Sequence, residues 1–349
     1  MSNIAPPEEL SNTLRNTSEL NYSELSPETI LYAIESKGLQ CDGRMQALNS
    51  FENRVYLIGI DDQTEIVAKF YRPNRWSDNA IIEEHQFSLE LLENEIPVVP
   101  PIEIGGNTLF CNVTNDGTVY RFSLFEKRGG RAPDLENFDT LEQMGRFLGR
   151  IHSLGAAQPF QHRPTLDIET YGKSSREFLL KNNFIPNDLL SAYDSLTNEL
   201  LTAIEHSYER AGKISLIRSH SDCHPGNILW TPEGPHIVDF DDARMTPASQ
   251  DLWMFLSGDR TDMTAGLDAL LEGYSQFYTF NPRELHLIEA LRTLRLMHYY
   301  AWLARRWNDP AFKIAFPWFN SQQCWEQHIL NLREQASTMY EEPLVWFGA

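Results

Sequence analysis

The sequence predicts an α+β fold in two lobes: a small lobe of antiparallel strands with one internal helix, and a larger, mainly helical lobe. Three observations lead there. The chain has 349 residues, enough for two compact units. Upstream of residue 126, apolar residues recur with a period of two, in runs separated by turn signals. Downstream of Gly129-Gly130 the period becomes helical. The pair lies in Glu126–Arg131, which reads as a hinge between a lobe at 26–125 and a lobe at 132–349.

Residues 1–25 are rich in Ser, Asn, Glu and Pro and read as a loose polar extension. They lack the basic-then-apolar pattern of a signal peptide. Ser26-Pro27-Glu28-Thr29 is a helix start, with Ser26 as N-cap and Pro27 at the first helical position. Gly38 suits the helix end. Asn53 to Ile60 and Thr64 to Tyr71 read as strands around a turn at Asp61-Asp62-Gln63. In the second, Ile66, Ala68 and Phe70 share one face, and Val67, Lys69 and Tyr71 the other. Residues 78–95 follow with helical spacing. A second hairpin runs through Thr108 to Val113, a turn at Asn115-Asp116-Gly117, and Val119 to Phe125. Beyond the hinge, helices are predicted near 139–154, 173–182, 187–209, 247–256, 262–278, 282–307 and 322–338. A short apolar stretch without helical period, Ile214 to Val238, interrupts them.

The formal charge of −20 repels phosphate backbones and anionic lipid, which argues against nucleic-acid or membrane partners. No apolar run is long enough to span a bilayer. The four cysteines are scattered, which indicates neither a zinc site nor a disulfide framework and fits reduced cytosolic thiols. A cytoplasmic monomer is expected.

Chemistry concentrates in Ser219–Trp230 and His236–Asp242. Together they place Asp222, Asn227 and Asp239 on two short loops joined by a hairpin. Asp and Asn oxygens are hard ligands suited to Mg²⁺, which takes few protein carboxylates and completes its shell with substrate phosphates. His220-x-Asp222-x4-Asn227 has the spacing of a kinase catalytic loop, and Asp239-Phe240 matches the start of a kinase metal-binding triplet. Val67-Ala68-Lys69 on an upstream strand and Glu83-Glu84 on the following helix complete the set, in order. Singly, each has a plainer explanation. Asp and Asn favour turns, and a strand lysine can guard a sheet edge. The ordered set points to phosphoryl transfer.

The chain resembles the kinase-like superfamily, its aminoglycoside-phosphotransferase-like branch, and within that the bacterial stress response kinase A (SrkA/RdoA) family. The phrases that carry the resemblance are Leu48–Tyr56, Val67–Pro73, Glu83–Phe87, Gln250–Met254 and Ala301–Trp307, and it spans about residues 26–345. It implies a two-lobed protein-kinase-like fold and an ATP- and Mg²⁺-dependent Ser/Thr protein kinase acting in a stress response. By position, Asp222 matches the proton acceptor. Asn227 and Asp239 match the Mg²⁺ ligands, and Asp239 also counts as an active-site residue. Lys69 matches the lysine that holds the α- and β-phosphates, Glu84 (Glu83 second) the helix glutamate that pairs with it, and Ser50 an ATP contact.

Three departures stand out. The phosphate loop, Leu48 to Arg54, holds no glycine. Asp241 replaces the glycine of the triplet. Asp239 to Asp251 leaves only a short activation segment, so ordering of a long loop by phosphorylation is not expected. A small-molecule hydroxyl kinase acting on an aminoglycoside, choline or homoserine-like acceptor is the alternative, and a non-catalytic nucleotide-binding scaffold the third reading. His220 and His224 are expected to tie the loop together, His152 to pack in a helix, and Cys223 to be a buried thiol. Arg292, Arg295, Arg305 and Arg306 share a predicted helix, as an anionic-substrate patch or as partners of nearby Glu. The aromatic cluster Trp302, Trp307, Phe312, Phe316, Trp318 and Phe319 is expected in the core.

Overall fold

The computed structural model describes residues 22, 25–114 and 117–348. The N-terminal extension, except Tyr22 and Leu25, and the Asn115-Asp116 turn lie outside the described residues. Helix α1 (Pro27–Glu35) starts where the sequence places it: the Ser26 hydroxyl accepts the Thr29 N–H at 3.2 Å. Such a cap contributes about 1 kcal/mol.

Five strands follow: β1 (Cys41–Ala47), β2 (Arg54–Ile60), β3 (Glu65–Phe70), β4 (Phe110–Val113) and β5 (Val119–Glu126), with α2 (Asp78–Glu93) between β3 and β4. They form one antiparallel sheet in the order β1-β2-β3-β5-β4. The sequence reading missed β1, whose exposed positions give no clear alternation. Strand β3 is central, with Lys69 opposite Val55 and Ser123. This rules out the sheet-edge explanation for that lysine. Ile66, Ala68 and Phe70 turn into a core with α1 and Phe122, and each large apolar side chain so buried stabilises by about 1.5–3 kcal/mol. The opposite face of β3 carries Val67 and Lys69 into a cleft.

The large lobe comprises α3 (Phe138–Gly155), α4 (Ser174–Lys181), α5 (Leu190–Ala211), α6 (Ser249–Leu252), α7 (Arg260–Tyr274), α8 (Ile288–Arg305), α9 (Pro310–Ala315) and α10 (Gln322–Met339). Two short ladders lie among them: β6 (Ile217–Ser219) pairs with β9 (Arg244–Thr246), and β7 (Ile228–Thr231) with β8 (Gly234–Ile237). The β7–β8 hairpin is the expected link between the two chemistry-bearing loops. One core gathers around α5, α8 and α10, and a second around α3 and α7. The α3–α7 crossing is close because it has no side chains in the way. A Cβ on Gly145 would lie 1.9 Å from the Leu270 carbonyl oxygen, and one on Gly273 would lie 1.9 Å from that of Glu142. Phe87 and Leu91 of α2 belong to this second core. Helix α2 therefore rides on the large lobe while its Glu84 faces the cleft. The expected aromatic core holds in part. Phe312, Phe316 and Phe319 are buried, but Trp318 is exposed and Trp302 lines the cleft.

Candidate active site

The loop after β6 carries Asp222, and its backbone is held from beneath. Asp251 of α6 is fully buried. Its carboxylate accepts the N–H groups of His220 (2.9 Å) and Ser221 (2.7 Å) and lies 3.1 Å from His152 Nε2 of α3. Gln250 donates to the Ser221 carbonyl at 2.8 Å. The anchoring lets Ser221 keep a left-handed backbone, φ 68°, which a non-glycine residue adopts only when its surroundings over-determine it. His220 Nε2 is 2.9 Å from the Val238 carbonyl, and His224 Nδ1 accepts the Gly226 N–H at 3.0 Å. His220 thus ties the two loops together, and His224 braces its own loop. Asn227 Nδ2 donates to the Asp222 carbonyl at 2.9 Å, which leaves Oδ1 for a ligand.

Asp239 also has a left-handed backbone, φ 64°, a conformation that Asp tolerates better than most residues. Its half-exposed side chain meets Lys69 Nζ at 2.8 Å. Asp241, two residues on, is buried, lies 3.5 Å from the same Nζ, and pairs with Arg75. Burial opposes the Lys69 charge, but the Asp239 and Asp241 carboxylates more than offset it and hold the ammonium well above its ordinary pKa. The lysine therefore stays a buried cation throughout the physiological range. Asp242 is flanked by Arg75 and Arg244, each at 2.7 Å, which overcome burial and keep its carboxyl well below the usual range.

The choice between Glu83 and Glu84 is resolved by their partners. Glu83 accepts the backbone N–H groups of Gln161 (2.5 Å), His162 (2.8 Å) and Arg163 (2.9 Å), clasping α2 to the large lobe. Glu84 is buried against the cleft, and burial pushes its carboxyl up to about 7 against the pull of Lys69 and Arg163. The expected Lys69–Glu84 ion pair is not formed: Lys69 is drawn to Asp239 and Asp241 instead. Burial disfavours ionisation of Glu84, while Asp241 is supported by Arg75 and Asp239 keeps half of its side chain in solvent, so these two draw the ammonium instead. Glu84 Oε2 is left buried without a hydrogen-bond partner.

Ser50 lies in the loop between β1 and β2, over the cleft. That loop is fastened to the large lobe. Glu52 meets Arg306 at 2.7 Å and the Trp302 indole N–H at 2.6 Å. Asp309, at the start of α9, pairs with Arg54 (3.1 Å) and Arg72 (3.0 Å). Phe51 packs on Phe316, ring centres 4.7 Å apart. Of the four arginines on one predicted helix, Arg292 has the nearby partner expected, Glu289 at 3.6 Å. Arg305 reaches the Ser174 carbonyl, Arg306 reaches Glu52 in the other lobe, and Arg295 pairs with Asp222. Cys223 is fully buried, which pushes its thiol far up and keeps it protonated.

Ser50, Lys69, Glu84, Asp222, Asn227 and Asp239 all line one cleft of about 930 Å³ between the lobes. Among the described residues no three His, Cys, Asp or Glu side chains gather into a metal cage. The donor set still fits Mg²⁺: one accessible carboxylate and one amide oxygen, with room beside them for phosphates. Sequence reasoning missed Asp251 as an anchor, Arg295 as the partner of Asp222, and the loop fastening through Glu52 and Asp309. Gln250-Asp251 was visible only as a family phrase, and no local signal marked the others.

An antiparallel-sheet lobe above a mainly helical lobe, with these groups in the cleft between, defines the kinase-like fold. Residues 44–288 match the phosphotransferase enzyme family. The chain is 41% identical, over 94% of its length and 98% of the relative's, to stress response kinase A of Escherichia coli K12. It is 40% identical, over the same shares, to the serine/threonine protein kinase RdoA of Salmonella typhimurium. Among solved structures, amicoumacin kinase in complex with AMP-PNP, Ca²⁺ and Ami superposes with TM-score 0.69 at 18% identity, covering 90% of this chain and 94% of that one. The chain belongs to the phosphotransferase enzyme family and, within it, to the stress response kinase A family; it is a kinase.

Proposed function

We propose that this kinase is ATP- and Mg²⁺-dependent and phosphorylates Ser or Thr hydroxyls of proteins, its own included, in a bacterial stress response. It works as a cytoplasmic monomer, with residues 26–125 as the nucleotide-binding lobe, 126–131 as the hinge and 132–349 as the catalytic lobe. No described helix is long and apolar enough to cross a membrane. The observation that carries the proposal is the meeting of Lys69, Asp222, Asn227 and Asp239 in one cleft.

Phosphoryl transfer asks the protein for alignment and charge stabilisation rather than covalent chemistry. Lys69, held cationic, stabilises the α- and β-phosphates. Ser50 and its loop close over them. Asp239 and Asn227 would hold Mg²⁺, which neutralises charge on the transferring group when bound. Asp222 orients the acceptor hydroxyl and takes its proton. The test is transfer of labelled γ-phosphate from Mg-ATP with no added substrate. The native chain should label itself, and Asp222→Asn should lower labelling by about 10²–10⁴-fold. Equal labelling by both sinks the assignment of Asp222.

The small-molecule reading draws on two observations. Helix α8 walls the acceptor end of the cleft with Arg295, Tyr299 and Trp302, and only a short segment separates Asp239 from Asp251. ATP turnover stimulated by a metabolite pool, without protein labelling, selects that reading.

A further inference from the structure

Asp222 is already engaged by a cation as the chain stands, with its side chain only a quarter exposed. Arg295 holds Oδ1, and His224 Nε2 lies 3.7 Å from Oδ2. Arg295 sits on α8 with Tyr299 and Trp302 at i+4 and i+7, so the three share the face that lines the acceptor end of the cleft. The other cations at this end have carboxylate partners that take no part in the chemistry: Asp242 for Arg244 and Glu52 for Arg306. The carboxylate beside Arg295 is that of Asp222, the group that must be freed to receive the hydroxyl proton. Arg295 is also two-fifths exposed to the cleft.

Three kinds of acceptor would fare differently. A cationic one meets the guanidinium as a like charge. A neutral one must break the ion pair and offers nothing in return. One with a carboxylate or phosphate beside its hydroxyl gives the guanidinium fork a replacement of matching geometry. In a chain of net charge −20, long-range attraction does not bring such an acceptor in, so a local cation has to decide. We infer that Arg295 selects the acceptor: it captures an anionic group next to the hydroxyl to be phosphorylated, and that capture releases Asp222. The favoured acceptor is a Ser or Thr adjacent to an acidic residue. The inference rests on the reading of Asp222 as proton acceptor. The hydroxyl oxygen bonds to the γ-phosphorus as the bond to the departing ADP oxygen breaks, and the proton passes to Asp222. No further reactant is required.

The test uses the full chain with Mg-ATP and five acceptors. Three are serine peptides differing only in a Glu, Gln or Lys next to the serine. The other two are glycerate and ethanolamine, small hydroxyl compounds of opposite charge. The native chain should favour the Glu over the Gln peptide by about tenfold in kcat/KM, as one charge-assisted contact provides. The Lys peptide should rank last. In Arg295→Gln the Glu-to-Gln ratio should collapse to within about twofold, while Arg295→Lys keeps part of it. A variant that merely folds less well loses rate on all peptides but leaves the ratio intact. Transfer to the peptides without a Glu preference in the native chain, or a preference that survives in Arg295→Gln, overturns the inference. Transfer to glycerate over ethanolamine with the same dependence on Arg295, and to no peptide, upholds the inference and removes the protein-kinase reading. No transfer to any of the five overturns it.

Discussion

The loop that carries Asp222 and the loop that carries Ser50 flank the same cleft but are held by different physics. The first is secured inside one lobe. A fully buried carboxylate, Asp251, grips two backbone N–H groups, with Gln250 and His152 around it. The second is secured across the two lobes by ion pairs between side chains that are largely buried but keep an edge to solvent, 8–18% exposed: Glu52 with Arg306, and Asp309 with Arg54 and Arg72. Hydrogen bonds to a buried charge are expensive to lose, because the abandoned groups cannot turn to water. Ion pairs between side chains with an edge to solvent can turn their charges partly to water when they part, so they open at lower cost than the backbone grip and are partly screened by salt. The Asp222 loop is thus held through its backbone by one buried carboxylate, and the Ser50 loop through side chains that reach across the lobes.

The strongest way to break this contrast is Asp251→Asn. An amide cannot accept from both backbone N–H groups as a carboxylate does, and one donor faces another. We expect a loss of about 3 kcal/mol in chemical unfolding, together with loss of labelled-phosphate transfer. A stable, active variant would show that the loop holds itself.

Glu84 is the intermediate case, buried with one oxygen unpartnered. Its folded pKa of about 7 lies above the ordinary 4.5, so the folded state binds the proton more tightly. Stability from this group is present below about pH 4.5 and is lost as pH rises through about 7. Glu84→Gln removes that loss. Measured without nucleotide, its stability relative to the native chain should rise by up to about 3 kcal/mol from pH 5 to pH 8. A pH-independent gap would mean that Lys69 keeps Glu84 ionised.

Glu83→Gln sharpens the comparison from the other side, because Glu83 also accepts three backbone N–H groups but lies nearer the surface. Its replacement should cost about 1–2 kcal/mol in thermal or denaturant unfolding. A comparable effect is expected of Asp309→Ala, which leaves Arg54 and Arg72 without their carboxylate and removes the cap on the Ala311 N–H. It should cost about 1–2 kcal/mol, raise the ATP KM by about threefold with kcat little changed, and show a gap that narrows at high salt. A large, salt-insensitive loss would place the second loop in the same class as the first.

Much of the fold was legible in order along the chain. The period-two strands around Lys69, the capped helices at Ser26 and 78–95, and the late helices follow from local alternation and caps. Strand β1 did not, because its exposed residues carry no pattern, and neither did the fully buried contact of Gly145 with α7. Within the candidate site, Asp222, Asn227 and Asp239 stood out because the chemistry constrains their spacing along the sequence. Asp251 and Arg295 carry no such spacing. Their meaning comes from a backbone loop 30 residues away in one case and a carboxylate 73 residues away in the other.

The sequence by itself determined the two-lobed α+β class, the family, and the set of residues that meet in the cleft, since each depends on local periodicity or short-range spacing. Only the tertiary structure decided that Lys69 lies on a central strand, that Glu83 is a clasp while Glu84 faces the cleft, that Lys69 pairs with Asp239 rather than Glu84, and that Arg295 covers Asp222. Those outcomes turn on which charges approach one another and how much water is excluded around them, quantities that exist only once distant segments have been brought together.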